Sequence, residues 1–265
     1  MQRRHLITSA FAVPFLGLSG LYAYAQVSDL SDAINKAGRQ RMLSQRMGKA
    51  WLALVHGIEK TSAQQVLDKS MGLFDRQLSE LKGFAPTPEI KATYSQLETA
   101  WSDYKVQLVG ITPDKAGAPA LLLQDAKVLA LAHQGTLQYE AALGKPQGKL
   151  VNIAGRQRML SQRMAKFYLA AKLPGDSSVS ALEIGKARTE FVGAMDVLRK
   201  APEATSRIKD ELELADAQWV FFDMALQRLQ IGQGSGKQLS EVFVASENLL
   251  SVMDRVTNLY AGVKT

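Results

Sequence analysis

Six arginines in two identical segments are the residues of this chain best suited to bind a ligand. The segment AGRQRMLSQRM occupies residues 37–47 and recurs unchanged at residues 154–164, and we call these copies the first and the second box. Their arginines are Arg39, Arg41 and Arg46 in the first box and Arg156, Arg158 and Arg163 in the second. A guanidinium keeps its charge and offers parallel N–H donors that match the oxygens of an anion. Six guanidinium groups in one repeated pattern predict a site for a small oxyanion.

A glycine stands three residues before the central arginine of each box, as Gly38 before Arg41 and Gly155 before Arg158. Inside a helix, glycine costs about 1 kcal/mol relative to alanine, and solvation of a polar face does not explain that cost. A close approach of another helix or a ligand to the backbone explains it, with the guanidinium reaching across from the next turn. The alternative is that the arginines pair with acids of neighbouring helices, such as Asp32, and that the boxes serve helix packing alone.

The elements that carry the boxes are helices. Nearly every segment has helical periodicity, strand-like alternation is absent, and Gly and Pro residues concentrate at a few breaks, so we predict an all-α fold. N-cap residue types at Ser62 and Thr87, together with Gly57, Gly83 and Gly110, mark helix boundaries. The predicted helices run from about Asp29 to Gly57, Ser62 to Lys82, Pro88 to Val109, Pro119 to Leu143, Lys149 to Leu173, Ser178 to Lys200, Pro202 to Ile231 and Lys237 to Ala261.

The repeat extends beyond the boxes and divides the chain into two halves. The aligned pairs are Asn35 with Asn152, Lys49 with Lys166, Phe74 with Phe191 and Leu81 with Leu198. We therefore predict two tandem four-helix bundles, at residues 26–143 and 149–265, with a break at residues 144–148. In one arrangement the bundles lie side by side and the first and fifth helices face each other. In the other, one long helix runs through Pro146, stacks the bundles end to end and leaves each box to pair with a second chain.

Residues 1–25 have the pattern of a secretory signal peptide. Arg3 and Arg4 precede an apolar run, and the small residues Ala23 and Ala25 predict cleavage after Ala25. Retention of this segment as an uncleaved anchor is the alternative, and the two arginines leave open whether export uses the Sec or the twin-arginine route. We expect a periplasmic protein. Because the chain has no cysteine, its stability cannot depend on disulfide bonds.

The charge balance favours an anionic partner. The 32 Lys and Arg residues exceed the 25 Asp and Glu residues, for a net charge of +7, and removal of the two arginines of the signal peptide leaves +5. The bases form no run and only three histidines occur, so neither a nucleic-acid module nor a histidine metal site is predicted. No catalytic constellation accompanies the boxes, so we expect a binding protein that is not an enzyme and has no cofactor.

The segment from Ile34 to Met47 and its repeat from Asn152 to Met164 resemble the PilJ-type sensor domain. That domain is named for the N-terminal part of type IV pilus methyl-accepting chemotaxis transducers. The same segment is similar to the ligand-recognition box of nitrate/nitrite sensor histidine kinases. The periplasmic domain of those kinases is a four-helix bundle that binds nitrate between the first helices of two subunits.

The resemblance assigns roles to the residues of the boxes. It implies that the anion is held by the central arginine of each box, and that the last arginine of each box supports it. The first arginine of each box belongs to the PilJ-type form and replaces a non-basic residue, which leaves the choice between nitrate and a different or larger anion open. The candidate ligand-binding residues are Arg41, Arg158, Gly38, Gly155, Arg46, Arg163, Arg39, Arg156, Asn35 and Asn152.

We expect a tandem PilJ-like protein that binds nitrate or nitrite through its two boxes and has no output domain of its own. Its partners would be the small anion and a membrane transducer or transporter, and a homodimer is the alternative if the boxes pair between chains. A structural or interaction protein, whose boxes mediate helix packing or partner docking without a ligand, is the rival reading of the same residues.

Overall fold

Eight α-helices make up the protein in a computed structural model that describes residues 26–174, 177–228 and 235–263. These ranges contain no strand, which confirms the predicted all-α fold. The predicted signal peptide, residues 1–25, lies outside the described residues. The helices are α1 (Leu30–Val55), α2 (Lys60–Phe84), α3 (Pro88–Val109), α4 (Ala118–Leu143), α5 (Pro146–Ala170), α6 (Ser177–Lys200), α7 (Ser206–Gln227) and α8 (Gly236–Gly262).

Local signals explain most of the helix boundaries. The Thr87 side chain caps α3 by accepting a hydrogen bond from the Ile90 amide at 3.3 Å, and Pro88 occupies the first turn. Gly144 ends α4 in the left-handed conformation, with φ of 63°. Lys145 is extended, so the chain reverses before Pro146 opens α5. The prediction of a start at Lys149 was therefore three residues late.

Further boundaries were predicted wrongly in α2 and α7. Helix α2 begins at Lys60 behind a left-handed Glu59, and not at Ser62, and it runs past Gly83 to Phe84. Helix α7 begins at Ser206 and not at Pro202, because the Thr205 side chain accepts a hydrogen bond from the Ile208 amide and so caps the helix there. The predicted end of this helix at Ile231 lies outside the described residues.

The two sets of four helices lie side by side. Helix α1 packs on α2 and α4, and α3 packs on α4, while α5 packs on α6 and α8, and α7 packs on α8. The most extensive contact of all joins α1 to α5, which brings the two boxes together within one chain. The side-by-side arrangement is confirmed, and the end-to-end arrangement through a continuous helix at Pro146 is wrong.

The same packing contacts recur in both halves. The rings of Phe74 and Trp101 have centroids 4.3 Å apart, and those of Phe191 and Trp219 have centroids 4.4 Å apart. Each pair joins the second helix of its half to the third and is worth about 0.5–1.5 kcal/mol beyond the area it buries. The aligned phenylalanines of the sequence repeat therefore hold equivalent positions in space.

Both faces of α1 are buried, which is unusual for a helix of a small bundle. The apolar face, with Leu43, Met47 and Trp51, packs into the first set of helices, as predicted. The opposite face carries Gly38 and Arg41, and it is buried as well because α5 covers it. Within the described ranges, no helix combines the length and the apolar character needed to cross a bilayer.

Candidate functional site between the two boxes

Gly38 and Gly155 meet where α1 crosses α5. A Cβ atom built on Gly38 would lie 3.9 Å from the Gly155 Cα, 3.2 Å from Nη2 of Arg41 and 3.6 Å from Nη2 of Arg158. A Cβ atom built on Gly155 would lie 3.2 Å from Nη2 of Arg158 and 3.8 Å from Nη2 of Arg41. The glycines therefore allow the close approach that the sequence predicted, and the tips of both central arginines converge on the crossing.

Arg41 is fully buried, and its partners are neutral. Its Nη2 donates to Oδ1 of Asn152 at 2.7 Å and to the Asn152 carbonyl at 3.4 Å, across the boundary between the halves. Its Nη1 lies 3.2 Å from Nδ1 of His133 on α4. Its Nε has no hydrogen-bond partner among the described residues. Among the described residues, no carboxylate forms an ion pair with Arg41. Its charge therefore lacks a directly paired counter-ion.

Arg158 is equally buried but has an acidic partner. Its Nη1 pairs with Oδ1 of Asp254 on α8 at 2.6 Å, and its Nη2 donates to the Asn35 carbonyl at 3.0 Å. Its Nε, like that of Arg41, has no partner among the described residues. The two central arginines thus reach across the crossing in the same way, each to the asparagine of the opposite half, but only Arg158 contacts a carboxylate directly, and it shares that carboxylate with Arg39.

The other four arginines of the boxes form ion pairs with acids. Those of the first box reach α8 in the opposite half, whereas those of the second box reach α6 in their own half. The pairs are Arg39 with Asp254, Arg46 with Glu247, Arg156 with Glu190, and Arg163 with Glu183. The structure therefore brings together two of the six arginines at the crossing and pairs the remaining four with carboxylates, although Arg39 shares Oδ1 of Asp254 with Arg158.

The two candidate asparagines lie at the crossing, and they differ in what they bind. Asn152 accepts from Arg41 and donates through Nδ2 to the carboxylate of Glu140. Asn35 donates through Nδ2 to Oδ1 of Asn258 at 2.8 Å, and the same oxygen accepts from Arg39 at 3.3 Å, so the Asn35 side chain does not bind Arg158 as that of Asn152 binds Arg41. Glu140 makes no direct contact with Arg41, but its charge acts on Arg41 through space and raises the pKa of that guanidinium against the effect of burial.

Burial and mutual repulsion shift the titration of the site. Burial, together with the charges of Arg156 and Arg158, lowers the pKa of Arg41 to about 9. Burial and the charge of Arg39 lower the pKa of Arg158 to about 10, and Asp254 opposes that change. Both guanidiniums stay charged at neutral pH. Burial raises the pKa of Asp254, but the attraction of Arg158 and Arg39 outweighs it and lowers the value to about 2.

A second polar layer lies one to two turns further along α1 and α5. Asp125 of α4 is fully buried, accepts from Nε2 of Gln45 at 2.7 Å and pairs with Lys166 of the other half. Lys49 donates to Oγ of Ser246 at 2.8 Å and pairs with Glu247 at 2.6 Å, again across the halves. Lys49 and Lys166 are thus each paired with a carboxylate of the opposite half, and these charge pairs tie the two bundles together.

Sequence reasoning assigned no role to His133 and did not find Asp254. A signal for both was present, because α4 and α8 share the spacing Thr-x-x-Tyr, at Thr136 and Tyr139 in α4 and at Thr257 and Tyr260 in α8. The structure confirms this register, since the tyrosine hydroxyls donate to equivalent carbonyls, those of Leu81 at 2.7 Å and Leu198 at 2.6 Å. In this register His133 corresponds to Asp254. The partners of the two central arginines are therefore equivalent in position and different in charge.

No set of three or more His, Asp or Glu side chains in the described part of the chain is placed to hold a metal ion. What the arrangement offers instead is hydrogen-bond donors: two guanidinium tips, buried, over a floor made of two glycines. Such donors suit the oxygens of an anion better than a cation or an apolar group.

Fold and site together define a duplicated helical domain whose buried centre is cationic. Residues 22–137 and 144–238 match the family described as the N-terminal domain of type IV pili methyl-accepting chemotaxis transducers, or PilJ. The chain belongs to that family, and the two matched segments confirm the predicted tandem copies. It is thus a chemotaxis transducer-type sensor domain, of a kind that takes part in signal transduction with partner proteins. No curated protein and no solved structure matches the chain.

Proposed function

We propose that this chain is an exported, periplasmic binding protein of the sensor type that recognises a small oxyanion between Arg41 and Arg158. Nitrate and nitrite are the first candidates. The protein is not an enzyme, and it passes its signal to a separate membrane transducer or transporter. Family membership supports the sensor role, and the chemistry of the two boxes supports the anion.

The observation that carries this proposal is the buried charge of Arg41. Its exposed fraction is 0%, and its hydrogen-bond partners are Asn152 and His133, neither of which carries a negative charge. A buried charge without a directly paired counter-ion costs several kcal/mol, and Glu140, beside Asn152, offsets only part of that cost through space. A bound anion would remove that cost at Arg41, whereas at Arg158 the carboxylate of Asp254 already does so.

The geometry of the crossing favours a small anion that takes hydrogen bonds from both arginines. The Nη2 atoms of Arg41 and Arg158 lie 3.2 Å and 3.6 Å from the position a Gly38 Cβ would occupy. Two tips this close to one point are within reach of a single oxyanion with two or three oxygens.

A thermal-shift and calorimetric screen of the purified protein against nitrate, nitrite, sulfate, phosphate and chloride tests the proposal. A saturating anion at about 100 times its dissociation constant should raise the free energy of unfolding by about 2.7 kcal/mol. Both Arg41→Ala and Arg41→Lys should remove most of this gain, since lysine keeps the charge and loses the planar pair of donors.

Arg188→Ala is the matched control, because Arg188 lies on the surface of α6 and pairs with Asp223. It should leave the gain unchanged. Equal stabilisation of the wild type and both Arg41 variants by one anion would assign the effect to general salt and remove the proposed site.

A packing role for the boxes is the second candidate function, and one observation favours it. Five of the six box arginines have a carboxylate partner in the structure, and the boxes lie in the most extensive helix contact of the chain. In this case Arg41→Ala should change the free energy of unfolding in the same way with and without each anion. Ligand-dependent stabilisation that needs Arg41 decides for the binding role.

A further inference from the structure

The partners of the two central arginines differ in chemistry although they hold equivalent positions. Asp254 binds Nη1 of Arg158 at 2.6 Å, and His133 lies 3.2 Å from Nη1 of Arg41. The shared register of α4 and α8 makes these two contacts the same contact in the two halves. An aspartate neutralises its arginine permanently, whereas a histidine can hold either no charge or a positive one.

The contact with Arg41 determines the protonation state of His133 in this structure. A guanidinium has no acceptor, so Nδ1 of His133 must accept the hydrogen bond and the proton of the neutral ring must lie on Nε2. Protonation of Nδ1 would place two donors and two positive charges face to face. The protonated ring is therefore compatible with Arg41 only when an acceptor with negative charge lies between them.

Charged groups on three helices surround His133. Arg41 faces it from α1 and Arg156 from α5, while Glu190 faces it from α6. Burial, followed by the charges of Arg41 and Arg156, lowers the pKa of His133 to about 4, and Glu190 opposes this change. Without an anion the ring is thus neutral at neutral pH, in agreement with the hydrogen bond to Arg41.

A cavity connects His133 to the surface. It has a volume of about 430 Å³, lies between α4, α5 and α6, and also contains Arg156, Arg163, Glu183 and Lys186 in its lining. The His133 side chain is partly exposed, and it stands between this cavity and the buried Arg41. An anion that comes from the cavity therefore meets His133 before it reaches Arg41.

We propose that His133 is a residue of the anion site and that an oxyanion entering through this cavity displaces its Nδ1 from Arg41. The anion bound to the Arg41 guanidinium then also accepts a hydrogen bond from the protonated imidazole, and each anion bound takes up one proton from solvent onto Nδ1. No covalent bond forms or breaks. This inference rests on the proposed anion site at Arg41.

Nitrate titrations by calorimetry at about pH 5.5, 6.5 and 7.5 test the proton uptake, since nitrate itself stays ionised over this range. With one proton taken up per anion, the affinity should fall by up to about tenfold for each unit of pH increase. The measured heat should also change with the ionisation enthalpy of the buffer, with a slope that approaches one proton. In nuclear magnetic resonance spectra of the wild type, saturating nitrate should shift the His133 imidazole signals to those of the protonated ring.

Three variants separate the role of His133 from general effects of pH. His133→Gln keeps an acceptor for Arg41 and cannot be protonated, so its nitrate affinity should be independent of pH. His133→Asp copies the arrangement at Arg158 and should abolish nitrate binding. His56→Gln is the matched control, because His56 contacts the Leu169 carbonyl at 2.9 Å and not Arg41, and it should keep the wild-type pH dependence.

The outcomes distinguish this inference from the proposed function. Nitrate binding that needs Arg41 but shows neither pH dependence nor proton uptake would overturn the inference and leave the anion site in place. Absence of binding for nitrate and the other anions at every pH would remove the proposed function, and the inference with it. Unchanged pH dependence in a folded His133→Gln variant would assign the proton to another group and also overturn the inference.

Discussion

Replacement of Gly38 by alanine should separate the stability of the protein from its binding function. A Cβ atom at this position would have no neighbour closer than 3.2 Å, and that neighbour is Nη2 of Arg41, the end of a flexible side chain. Alanine in a helix interior is favoured over glycine by about 1 kcal/mol. The tight contact offsets part of this gain, so Gly38→Ala should raise the free energy of unfolding by between 0 and about 1 kcal/mol.

The same methyl group would occupy the floor of the crossing between the two arginine tips. It would lie 3.6 Å from Nη2 of Arg158 as well, so it would hinder an anion from contacting both guanidiniums. We expect nitrate affinity to fall by at least about tenfold, which corresponds to about 1.4 kcal/mol. Urea denaturation followed by circular dichroism gives the stability, and calorimetry gives the affinity.

Two other glycines provide matched controls for this variant. A Cβ atom on Gly193, exposed on α6, would have nothing within 4 Å, so Gly193→Ala should gain the full helix preference of about 1 kcal/mol and bind as the wild type does. A Cβ atom on Gly135 would lie 2.8 Å from the buried ring of Tyr94, and Gly135→Ala should destabilise by about 1–3 kcal/mol. Destabilisation of Gly38→Ala to the same extent as Gly135→Ala, or wild-type nitrate binding by Gly38→Ala, would refute the reasoning.

Two predictions concern the charge pairs between the halves. Lys166→Met should lower the free energy of unfolding by about 3–5 kcal/mol, because it leaves the buried Asp125 without its ion-pair partner. Adding Asp125→Asn to this variant should recover most of the loss. Urea denaturation measures both, and additive losses in the double variant would contradict the prediction. Burial raises the pKa of Glu247, but Lys49 and Arg46 outweigh burial and lower that pKa from its ordinary value of 4.5 to about 2. The ionised Glu247 therefore stabilises the folded protein above pH 4.5, and this stabilisation is lost as the pH falls towards 2. The urea midpoint should therefore fall over this interval, and Glu247→Gln should reduce that fall; an equal slope in the variant would show that other carboxylates are responsible.

Sequence reasoning predicted the helices and the crossing because the signals for both are local. Helix periodicity, a capping threonine at 87 and a proline at 88 determine α3, and each depends on residues a few positions apart. The close approach at Gly38 and Gly155 followed from the cost of glycine inside a helix. These features need no knowledge of what lies opposite.

The partners of the arginines could not be predicted in the same way. Asp254 lies far along the chain from both Arg39 and Arg158, and its contact with them depends on how α8 packs against α1 and α5. The number of residues between matching positions of α4 and α8 differs from the number between matching positions of the two boxes. Alignment of the boxes therefore does not place His133 opposite Asp254. Charged pairs that join distant helices are determined by the packing and not by the spacing of residues along one helix.

The contact between α1 and α5 lies within one chain, and this affects how the two sides of the site respond to mutation and dilution. In a homodimer every substitution appears twice about the symmetry axis, and the site separates when the subunits dissociate. Here the halves are covalently joined through Gly144 and Lys145, so dilution does not separate them. His133 and Asp254 were free to diverge, and a site that has lost its twofold symmetry can hold a ligand in one preferred orientation.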